Sequence, residues 1–201
     1  MFTGIVTDIG TVRSAQQRGD LRLQIQTGYD VDTIDLGASI ACSGVCLTVV
    51  DKGKDWFAVD VSGETQRRTA SGLWNEGVKL NLERSLRMGD EIGGHIVTGH
   101  VDAIGEVVEA RPEGDSVQIL VRVPSELGAM VAPKGSIALD GVSLTVNEVE
   151  DSPDGTRFSV NIIPHTAQQT SFAGIAAGRQ LNVEIDVLAR YIQRMIAARA
   201  H

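Results

Sequence analysis

Alternation of apolar and polar residues is the dominant pattern along the chain. In several stretches every second residue is apolar, which is typical of a β-strand with one buried and one solvated face. The clearest examples are residues 21–26, 78–83, 117–123 and 180–185. Glycines separate these stretches at short intervals, and short strands joined by glycine-rich turns are typical of an antiparallel sandwich or barrel. We therefore predict an all-β fold.

The pattern is repeated, because four blocks of sequence occur twice in the same order. The paired blocks are residues 1–12 and 96–107, 39–49 and 136–146, 57–69 and 158–170, and 77–83 and 178–184. This period exceeds the roughly 20–50 residues of solenoid repeats, so each copy is expected to be a whole domain. We predict two similar domains of about six strands each, with a boundary near Ile96.

The residues after Asp186 follow a different pattern. Apolar side chains recur there at helical spacing, at Leu188, Tyr191 or Ile192, and Met195, and Asp186 is a suitable N-cap. We predict a helix over 187–201. Since a helix of this length is marginal alone, its apolar stripe must pack on its own domain or on the same helix of other subunits. We favour the second arrangement, because the helix lies outside both repeats.

Composition narrows the classes of function. The chain has 201 residues, a formal net charge of −8 and 42% hydrophobic residues, which fit a soluble globular protein. The negative charge argues against nucleic-acid binding, which depends on Lys and Arg against phosphates. No run approaches the roughly 18 apolar residues of a membrane helix, and the first residues lack a signal-peptide pattern. We therefore expect no membrane association and a cytoplasmic location.

The small number of cysteines argues against a disulfide-stabilised fold and against a metal site. Cys42 and Cys46 are the two cysteines, too few for a disulfide framework. A zinc site needs more ligands than this pair offers, so no metal is expected.

Reactive side chains are distributed unequally between the two copies. Cys46 in the first copy corresponds to Ser143 in the second, His100 in the second corresponds to Ile5, and Lys134 corresponds to a glycine. Taken singly, each has an ordinary structural explanation. Cys46 is typical of a small buried apolar residue, His100 of a structural histidine and Lys134 of a turn. Their joint occurrence carries more information than any one of them.

These residues belong to a set of motifs that covers nearly the whole chain. The motifs are Met-Phe-Thr-Gly-Ile-Val at 1–6, Gly-Ala-Ser-Ile-Ala at 37–41, Cys-Leu-Thr-Val at 46–49, Glu-Ile-Gly-Gly-His at 91–95, Thr-Gly-His at 98–100, Asp-Gly-Val-Ser-Leu-Thr at 140–145 and Asn-Val-Glu-Ile-Asp at 182–186. In this order they closely resemble the riboflavin synthase family of the alpha-chain type, which is built from lumazine-binding domains. The chain departs from the family at His165, where glutamate is frequent, and at Thr98, where serine is common.

The resemblance implies a fold and a reaction. The fold is two similar six-stranded Greek-key β-barrels in tandem plus a C-terminal α-helix: an N-terminal lumazine-binding barrel at 1–95, a C-terminal one at 96–186 and a trimerisation helix at 187–201. The reaction is dismutation of two molecules of 6,7-dimethyl-8-ribityllumazine into riboflavin and 5-amino-6-ribitylamino-uracil by transfer of a four-carbon unit, without a metal or redox cofactor. The implied site lies between the N-terminal barrel of one subunit and the C-terminal barrel of its neighbour in a homotrimer.

The resemblance also implies the residues of the site. The catalytic candidates are Cys46, Ser39, His100, Thr145 and Asp186. The substrate-binding candidates are Gly4, Ile5, Val6, Leu47, Thr48, Asp60, Val61, Ser62, Gly63, Glu64, Thr65, Gly99, Val101, Lys134, Ser143, Leu144, Ile162, Ile163, Pro164, His165, Thr166 and Ala167. Ser39 and Cys46 are assigned to the N-terminal barrel, whereas His100, Lys134, Thr145 and Asp186 are assigned to the C-terminal barrel. Phe2 is expected to position the first strand.

Two other functions compete with the enzyme. One is a non-catalytic lumazine- or flavin-binding protein of the antenna type, which tends to lose site residues in one barrel and to stay monomeric. The other is a double-barrel binding module unrelated to flavins, which leaves the motif at 1–6 unexplained. Because Ser39, Cys46, His100 and Asp186 are all present and a helix suited to association follows, we favour the enzyme. Association with a lumazine synthase is left open.

Overall fold

The computed structural model describes residues 1–199, which form two closed barrels and a C-terminal helix. The elements of the first half are β1 (Asp8–Arg18), β2 (Asp20–Gln26), β3 (Ser39–Cys42), β4 (Val45–Lys52), β5 (Trp56–Val61), α1 (Gly63–Arg68) and β6 (Lys79–Arg84). Those of the second half are β7 (Ala103–Glu113), β8 (Ser116–Val123), β9 (Ser136–Leu139), β10 (Val142–Ser152), β11 (Gly155–Ile162), α2 (Pro164–Gln169) and β12 (Gln180–Ile185), followed by α3 (Val187–Arg199). Short 3-10 turns lie at Val31–Thr33 and Ser125–Met130.

Both barrels have the same strand order. In the first the order around the barrel is β1-β2-β5-β4-β3-β6, and the second repeats it with β7-β8-β11-β10-β9-β12. Every pair is antiparallel, and the last strand of each barrel returns to lie beside the third, as in a Greek key. The predicted fold of two six-stranded barrels is therefore confirmed. The predicted helix is confirmed over Val187–Arg199, and its last two predicted residues, 200 and 201, lie outside the described residues.

The alternating apolar residues fill the barrel interiors, as the sequence pattern predicts. Leu23 and Ile25 on β2 face Phe57 on β5 and Leu80 and Leu82 on β6, and all five side chains are fully buried. Each barrel has a core of this kind, and burial of large apolar side chains is the main source of its stability. The core holds the strands in register, so side chains on the outer barrel face are placed reproducibly for a site.

One prediction from the alternation is wrong. Asn81 and Glu83 on β6, and Asn182 and Glu184 on β12, alternate with apolar residues and were expected to be solvated. They are 2%, 6%, 1% and 3% exposed. The two asparagines are covered by the other half of the chain, and the two glutamates by the segment that leads into their own barrel. Hydrogen bonds satisfy the polar groups in both cases, so burial is tolerated.

The two barrels interlock through reciprocal asparagine contacts. The Asn81 amide donates to the carbonyl of Asp140 (2.9 Å) and accepts from the backbone N–H of Ser171 (2.7 Å). Asn182 makes the matching pair of bonds from the opposite side, to the Ser43 carbonyl and the Ala70 N–H, both at 2.8 Å. The two halves are therefore related by an approximate two-fold arrangement, and each amide is satisfied only when the other half is in place.

The segments that lead into the two barrels also pair with each other. Phe2 and Val97 form an antiparallel bridge, with backbone hydrogen bonds of 2.7 and 3.0 Å. Both side chains are buried in a small cluster between the barrels, together with Ala41 and Ala138. Phe2 thus anchors the first segment, and this crossing decides which barrel each segment serves.

The C-terminal helix leaves most of its apolar side chains uncovered. Its exposed members are Leu188, Tyr191, Ile192, Met195 and Ile196, which are 57–67% exposed. No helix within residues 1–199 is long and apolar enough to cross a membrane.

Candidate active site

The outer face of β4 carries a row of reactive and hydroxyl side chains. Leu47 points into the core, whereas Cys46 and Thr48 point outward because side chains alternate along a strand. Ser39 on β3 lies directly opposite Thr48, so the two hydroxyls share this outer face. In the second barrel Thr145 lies opposite Ser136 in the same way. Each barrel therefore presents the same hydroxyl pair, and the difference between them is Cys46 against Ser143.

A cavity of about 210 Å³ lies over this face in the first barrel. Its walls are the outer face of β4, helix α1 and a segment from the second half of the chain. The lining residues are Val45, Cys46, Glu64, Thr65, Arg68, Thr69, Gly99, His100 and Val101. Six of them are predicted site residues. Val45, Arg68 and Thr69 were missed, because nothing in the alternation indicates which end of α1 faces the strand.

Glycine is required where the crossing segment meets β4. The backbone N–H of Cys46 donates to the carbonyl of Gly99 over 2.9 Å. Gly99 has a φ of +79°, and a Cβ there would lie 2.6 Å from the Cβ of Cys46. A larger residue would separate the segment from the strand and open the cavity wall. Gly4 makes the same close approach to Ser143 in the second barrel, with its carbonyl accepting from the Ser143 N–H at 2.8 Å.

The assignment of His100 to the C-terminal barrel is wrong. His100 precedes the first strand of that barrel, yet it lines the cavity of the first barrel together with Cys46. The reason is the crossing of the two entry segments: residues 98–101 lie against β4, and residues 3–6 lie against β10. Each pocket is thus completed by a segment from the other half of the chain.

Two buried carboxylates hold these segments in place. Glu83 accepts hydrogen bonds from the N–H and hydroxyl of Thr3 (2.6 and 2.7 Å) and from the N–H of Gly4 (2.9 Å). Glu184 does the same for Thr98 and Gly99, and also accepts from the His100 N–H at 3.1 Å. Burial raises the pKa of Glu83, although the hydrogen bonds from Thr3 and Gly4 oppose this shift. The sequence signal for these residues was their repetition in both copies.

His95 is a site residue that the candidate set omits. Its Nδ1 lies 2.7 Å from the Ser143 hydroxyl, and its backbone N–H donates to the Thr3 carbonyl. Its Nε2 is buried and has no hydrogen-bond partner within residues 1–199. Burial lowers the pKa of His95, while the negative charges of Asp186 and Glu184 oppose that shift. At neutral pH the imidazole is therefore mainly uncharged and able to accept a proton from the serine hydroxyl.

Lys134 stands at a strained backbone position beside β10. Its φ is +66°, in the left-handed region that favours glycine, and the corresponding residue of the first copy is Gly37 with a φ of +87°. Its N–H donates to the Val146 carbonyl, next to Thr145, and its side chain is exposed. A non-glycine residue held in this conformation is a sign of a functional constraint.

The remaining predicted site residues differ in how deeply their side chains are buried. Leu47, Val61 and Ile162 lie in the barrel cores, so only their backbones can face a ligand. Leu144 is half-buried against the second core. Asp60 is exposed beside Arg22 at 3.4 Å. The loop and helix residues around the pockets are Ile5, Val6, Ser62, Gly63, Ile163, Pro164, His165, Thr166 and Ala167, of which Ser62 caps α1 and Pro164 begins α2.

Asp186 lies where β12 passes into α3. Its carboxylate accepts from the N–H of Leu188 at 2.9 Å, so it caps the helix as the sequence predicted. It is also close enough to His95 to act on its pKa, which places it on the second-barrel side with Ser143. Within the described residues no three His, Cys, Asp or Glu side chains come together in a geometry that holds a metal ion.

Comparison with known proteins gives a consistent result. A model of the lumazine binding domain matches the chain twice, at residues 3–85 and 98–186. The riboflavin synthase of Brucella abortus (strain 2308) is 50% identical, with 97% of this chain and 98% of that protein covered. Those of Photobacterium phosphoreum and Bacillus subtilis (strain 168) are 41% and 35% identical, with 98% of this chain and 89% and 90% of those proteins covered.

Solved structures give the same fold. The crystal structure of LumP complexed with riboflavin matches with a TM-score of 0.80 at 24% identity, covering 92% of this chain and 99% of that one. LumP complexed with 6,7-dimethyl-8-(1'-D-ribityl) lumazine matches with a TM-score of 0.78 at 23% identity and the same coverage. At this level of identity the match shows the double-barrel architecture.

Proposed function

The chain belongs to the lumazine-binding domain family, and on that premise we propose that it is a riboflavin synthase. It converts two molecules of 6,7-dimethyl-8-ribityllumazine into one riboflavin and one 5-amino-6-ribitylamino-uracil by transfer of a four-carbon unit. The observation that carries the proposal is a pair of similar strand faces with different reactive groups, Cys46 and His100 at the cavity of the first barrel and Ser143 and His95 on the second. Two identical substrates that must be treated differently require such a pair.

The reaction can proceed with protein side chains as the only catalytic groups. Two lumazines contain the same atoms as the two products, so the dismutation needs no external oxidant or reductant. The donor loses a proton from its C7 methyl group, and the acceptor is activated at C7 by a nucleophile. The protein must therefore position two rings face to face and move protons, which are contributions of proximity and of general acid–base catalysis.

The two pockets supply different proton carriers. On the second barrel the imidazole of His95 is hydrogen-bonded to the Ser143 hydroxyl, and in the tautomer with an unprotonated Nδ1 it can take the hydroxyl proton as Ser143 acts on a bound ligand. In the first pocket the thiol of Cys46 and the imidazole of His100 line the same cavity. Ser39 and Thr48, Thr145 and Lys134 add donors along the outer faces of β4 and β10, which suit the oxygens of the ring and of the ribityl chain.

The pocket walls suit a ligand with a flat ring and a polar tail. The backbones of residues 4–6 and 99–101 bracket the ring edges, and glycine at both crossings allows these segments to lie close to the strand. Residues 60–65 and 162–167 close the two pockets with α1 and α2, and their hydroxyl and carboxylate groups bind the ribityl chain.

Assembly follows from the C-terminal helix. Its apolar stripe is exposed on the single chain, and burial of such a stripe is worth roughly 25 cal/mol per Å². We assign 187–201 as the helix through which three copies of the chain associate, after an N-terminal barrel at 1–95 and a C-terminal barrel at 96–186. In the trimer the first pocket of one copy faces the second pocket of its neighbour, so the two bound rings meet between subunits. A biosynthetic enzyme of this kind acts in the cytoplasm.

The test is direct. The purified protein is incubated with 6,7-dimethyl-8-ribityllumazine without added cofactor, and riboflavin fluorescence is followed. The expected result is one riboflavin and one pyrimidine for every two lumazines consumed. Tight binding of the lumazine with no product would favour the non-catalytic antenna function, in keeping with the fold shared with LumP.

A further inference from the structure

Helix α3 has two faces with different surroundings. The exposed apolar residues lie on one side, at positions 188, 191, 192, 195 and 196. Arg190 lies on the opposite side, because it is separated from the centre of that stripe by about half a turn at 3.6 residues per turn. The side chain of Arg190 is 33% exposed and faces its own chain. One helix therefore offers a surface to neighbouring copies while its other side contacts the barrel that it follows.

The contact that Arg190 makes is with the segment that carries His100. Its Nη2 lies 2.9 Å from the Oδ2 of Asp102 and 3.4 Å from the carbonyl oxygen of His100. The same carboxylate oxygen accepts from the N–H of Ile185, at the end of β12, at 2.9 Å. Asp102 thus ties together the end of the last strand, the first turns of the helix and the far end of the crossing segment.

Comparison of the two copies shows that this link serves one pocket only. The position of Asp102 is occupied by Thr7 in the first copy, and Arg190 has no counterpart there because its helix lies outside both repeats. Thr7 contacts Tyr29 and the carbonyl of Leu82 instead. Both crossing segments are held by a buried glutamate, but only the segment of residues 98–102 is also fastened to a helix.

We propose that Arg190 is a positioning residue that links the docking of α3 to the geometry of the first-barrel pocket through Asp102 and His100. The inference rests on the proposed function for the identity of the ligand. Glu184 still holds residues 98–100 when the link is removed, so the segment stays attached. Its distal end, from the His100 carbonyl to Asp102, is released, and ligand binding weakens in the first pocket while the second pocket is unaffected.

The different exposure of the two thiols allows ligand binding in the first pocket to be measured independently of the second pocket. Cys46 lines that pocket and is partly exposed, whereas Cys42 is fully buried in the barrel core. Alkylation of the native protein by iodoacetamide therefore reports on Cys46, and protection by the lumazine reports on occupancy of the first pocket. Arg190→Gln should require about 3–10-fold more lumazine for half-maximal protection, a change of about 1 kcal/mol. The matched control is Arg194→Gln, one turn further along the same face, where the side chain is exposed; it should not change the protection. Equal protection in the two variants would overturn the proposal.

Further variants separate positioning from loss of assembly. Asp102→Asn should weaken protection of Cys46 by the lumazine, as Arg190→Gln does. The double variant should lose no more protection than the single variant with the larger loss, since both substitutions remove the same link. Arg190→Lys should restore part of the protection. Sedimentation of each variant gives its assembly state. If protection is lost only in variants that also dissociate, or if the two single effects add, Arg190 acts only in assembly and the proposal is wrong.

The wild-type protein keeps this test distinct from that of the proposed function. Should it bind the lumazine and protect Cys46 but form no riboflavin, the enzyme assignment fails while the comparison of Arg190→Gln with Arg194→Gln still decides the link. In an active enzyme the same variants should raise KM more than they lower kcat, because the released segment binds substrate and the reacting groups remain.

Discussion

The backbone N–H of Cys46 is hydrogen-bonded to the carbonyl of Gly99, so a strand of the first barrel is joined at its reactive residue to a segment from the second half of the chain. The same contact between Ser143 and Gly4 completes the other pocket. Neither half of the chain builds a complete pocket from its own residues. The reactive groups that differ between the two pockets are the Cys46 thiol and the His95–Ser143 pair.

Replacement of Cys46 by serine, the residue at the equivalent position of the second copy, should lower kcat by about 10–100-fold, the range of a single general acid–base group. The fold should be unchanged, because serine fits the outer face of β4 as Ser143 fits that of β10. Steady-state riboflavin formation and thermal unfolding measure the two effects. Cys42→Ala is the control: it removes a buried thiol from the core, so it should cost about 1 kcal/mol of stability and leave kcat unchanged. Undiminished turnover in Cys46→Ser would remove the thiol from the mechanism.

Replacement of His95 by glutamine should lower kcat/KM by about 10–100-fold and remove a limb of its pH profile. Burial lowers the pKa of His95 below the ordinary value of about 6.5, so the wild-type rate should fall only on the acid side of that value, as the imidazole becomes charged and can no longer accept the Ser143 proton. The profile of the variant should be flat there. Ser143→Ala combined with His95→Gln should lose no more than the larger single effect, and additive losses would show that the two groups act independently.

Replacement of Lys134 by glycine should separate binding from stability. Glycine adopts the left-handed φ of +66° freely and stands at this place in the first copy, so the free energy of unfolding should change by no more than about 1 kcal/mol. If the ammonium group binds the substrate, its loss should raise KM by about 10-fold or more, the value of one charge-assisted hydrogen bond. Lys54→Gly, in an exposed turn of the first barrel, should leave KM unchanged. A variant of Lys134 with normal KM would show that the lysine is only a turn residue.

Stability should depend on pH through Asp140. Burial raises the pKa of Asp140 from 3.8 to about 6, although Arg179 at 2.9 Å opposes the shift. When folding raises the pKa of a carboxyl group, the group does not lower the free energy of unfolding at a pH below its pKa in the unfolded state. Its full destabilising effect is present at a pH above its pKa in the folded state. Between about pH 4 and pH 6 its ionisation should therefore remove up to about 3 kcal/mol of unfolding free energy.

Asp140→Asn tests this dependence. The amide keeps the shape of the side chain, and asparagine is favoured before glycine in a turn with positive φ, so the fold should persist. The difference in unfolding free energy between variant and wild type, followed by urea denaturation, should increase in favour of the variant from pH 4 to pH 6. Asp115→Asn, on an exposed turn, is the matched control. A difference that is independent of pH would show that Asp140 does not titrate in this window.

Deletion of residues 187–201 should yield monomers with little activity, because in the proposed trimer the two pockets that face each other belong to different copies of the chain. Sedimentation and riboflavin formation measure the two effects. The triple variant Leu188→Ser, Ile192→Ser and Met195→Ser makes three of the five residues of the apolar stripe polar and leaves Arg190 in place, so it should also be monomeric. A fully active monomer of either kind would contradict a site shared between subunits.

The sequence was a good guide to the barrels and a partial guide to the site. Alternation and repetition were sufficient for two similar antiparallel β-domains of about six strands each, because each strand has one face whose burial is encoded locally, and the Greek-key barrel followed from the family resemblance. The polar face of β6 and β12 was misjudged, since the burial of Asn81 depends on the other half of the chain and that of Glu83 on the distant entry segment at Thr3 and Gly4. The place of His100 was misjudged for the same reason. Crossing of the entry segments is a long-range property that no local pattern reports.

The asparagine interlock between the barrels has an evolutionary consequence. Asn81 and Asn182 bind backbone groups, so the seam between the halves is indifferent to the side chains that surround it. In an ancestor assembled from two separate identical chains, every mutation would alter both pockets at once, and the pockets could never specialise. Fusion into one polypeptide lifts that constraint. The asparagine contacts hold the halves together, and a mutation in one pocket leaves the other pocket unchanged. The Cys46 thiol in the first pocket and the Ser143–His95 pair in the second can then be selected separately.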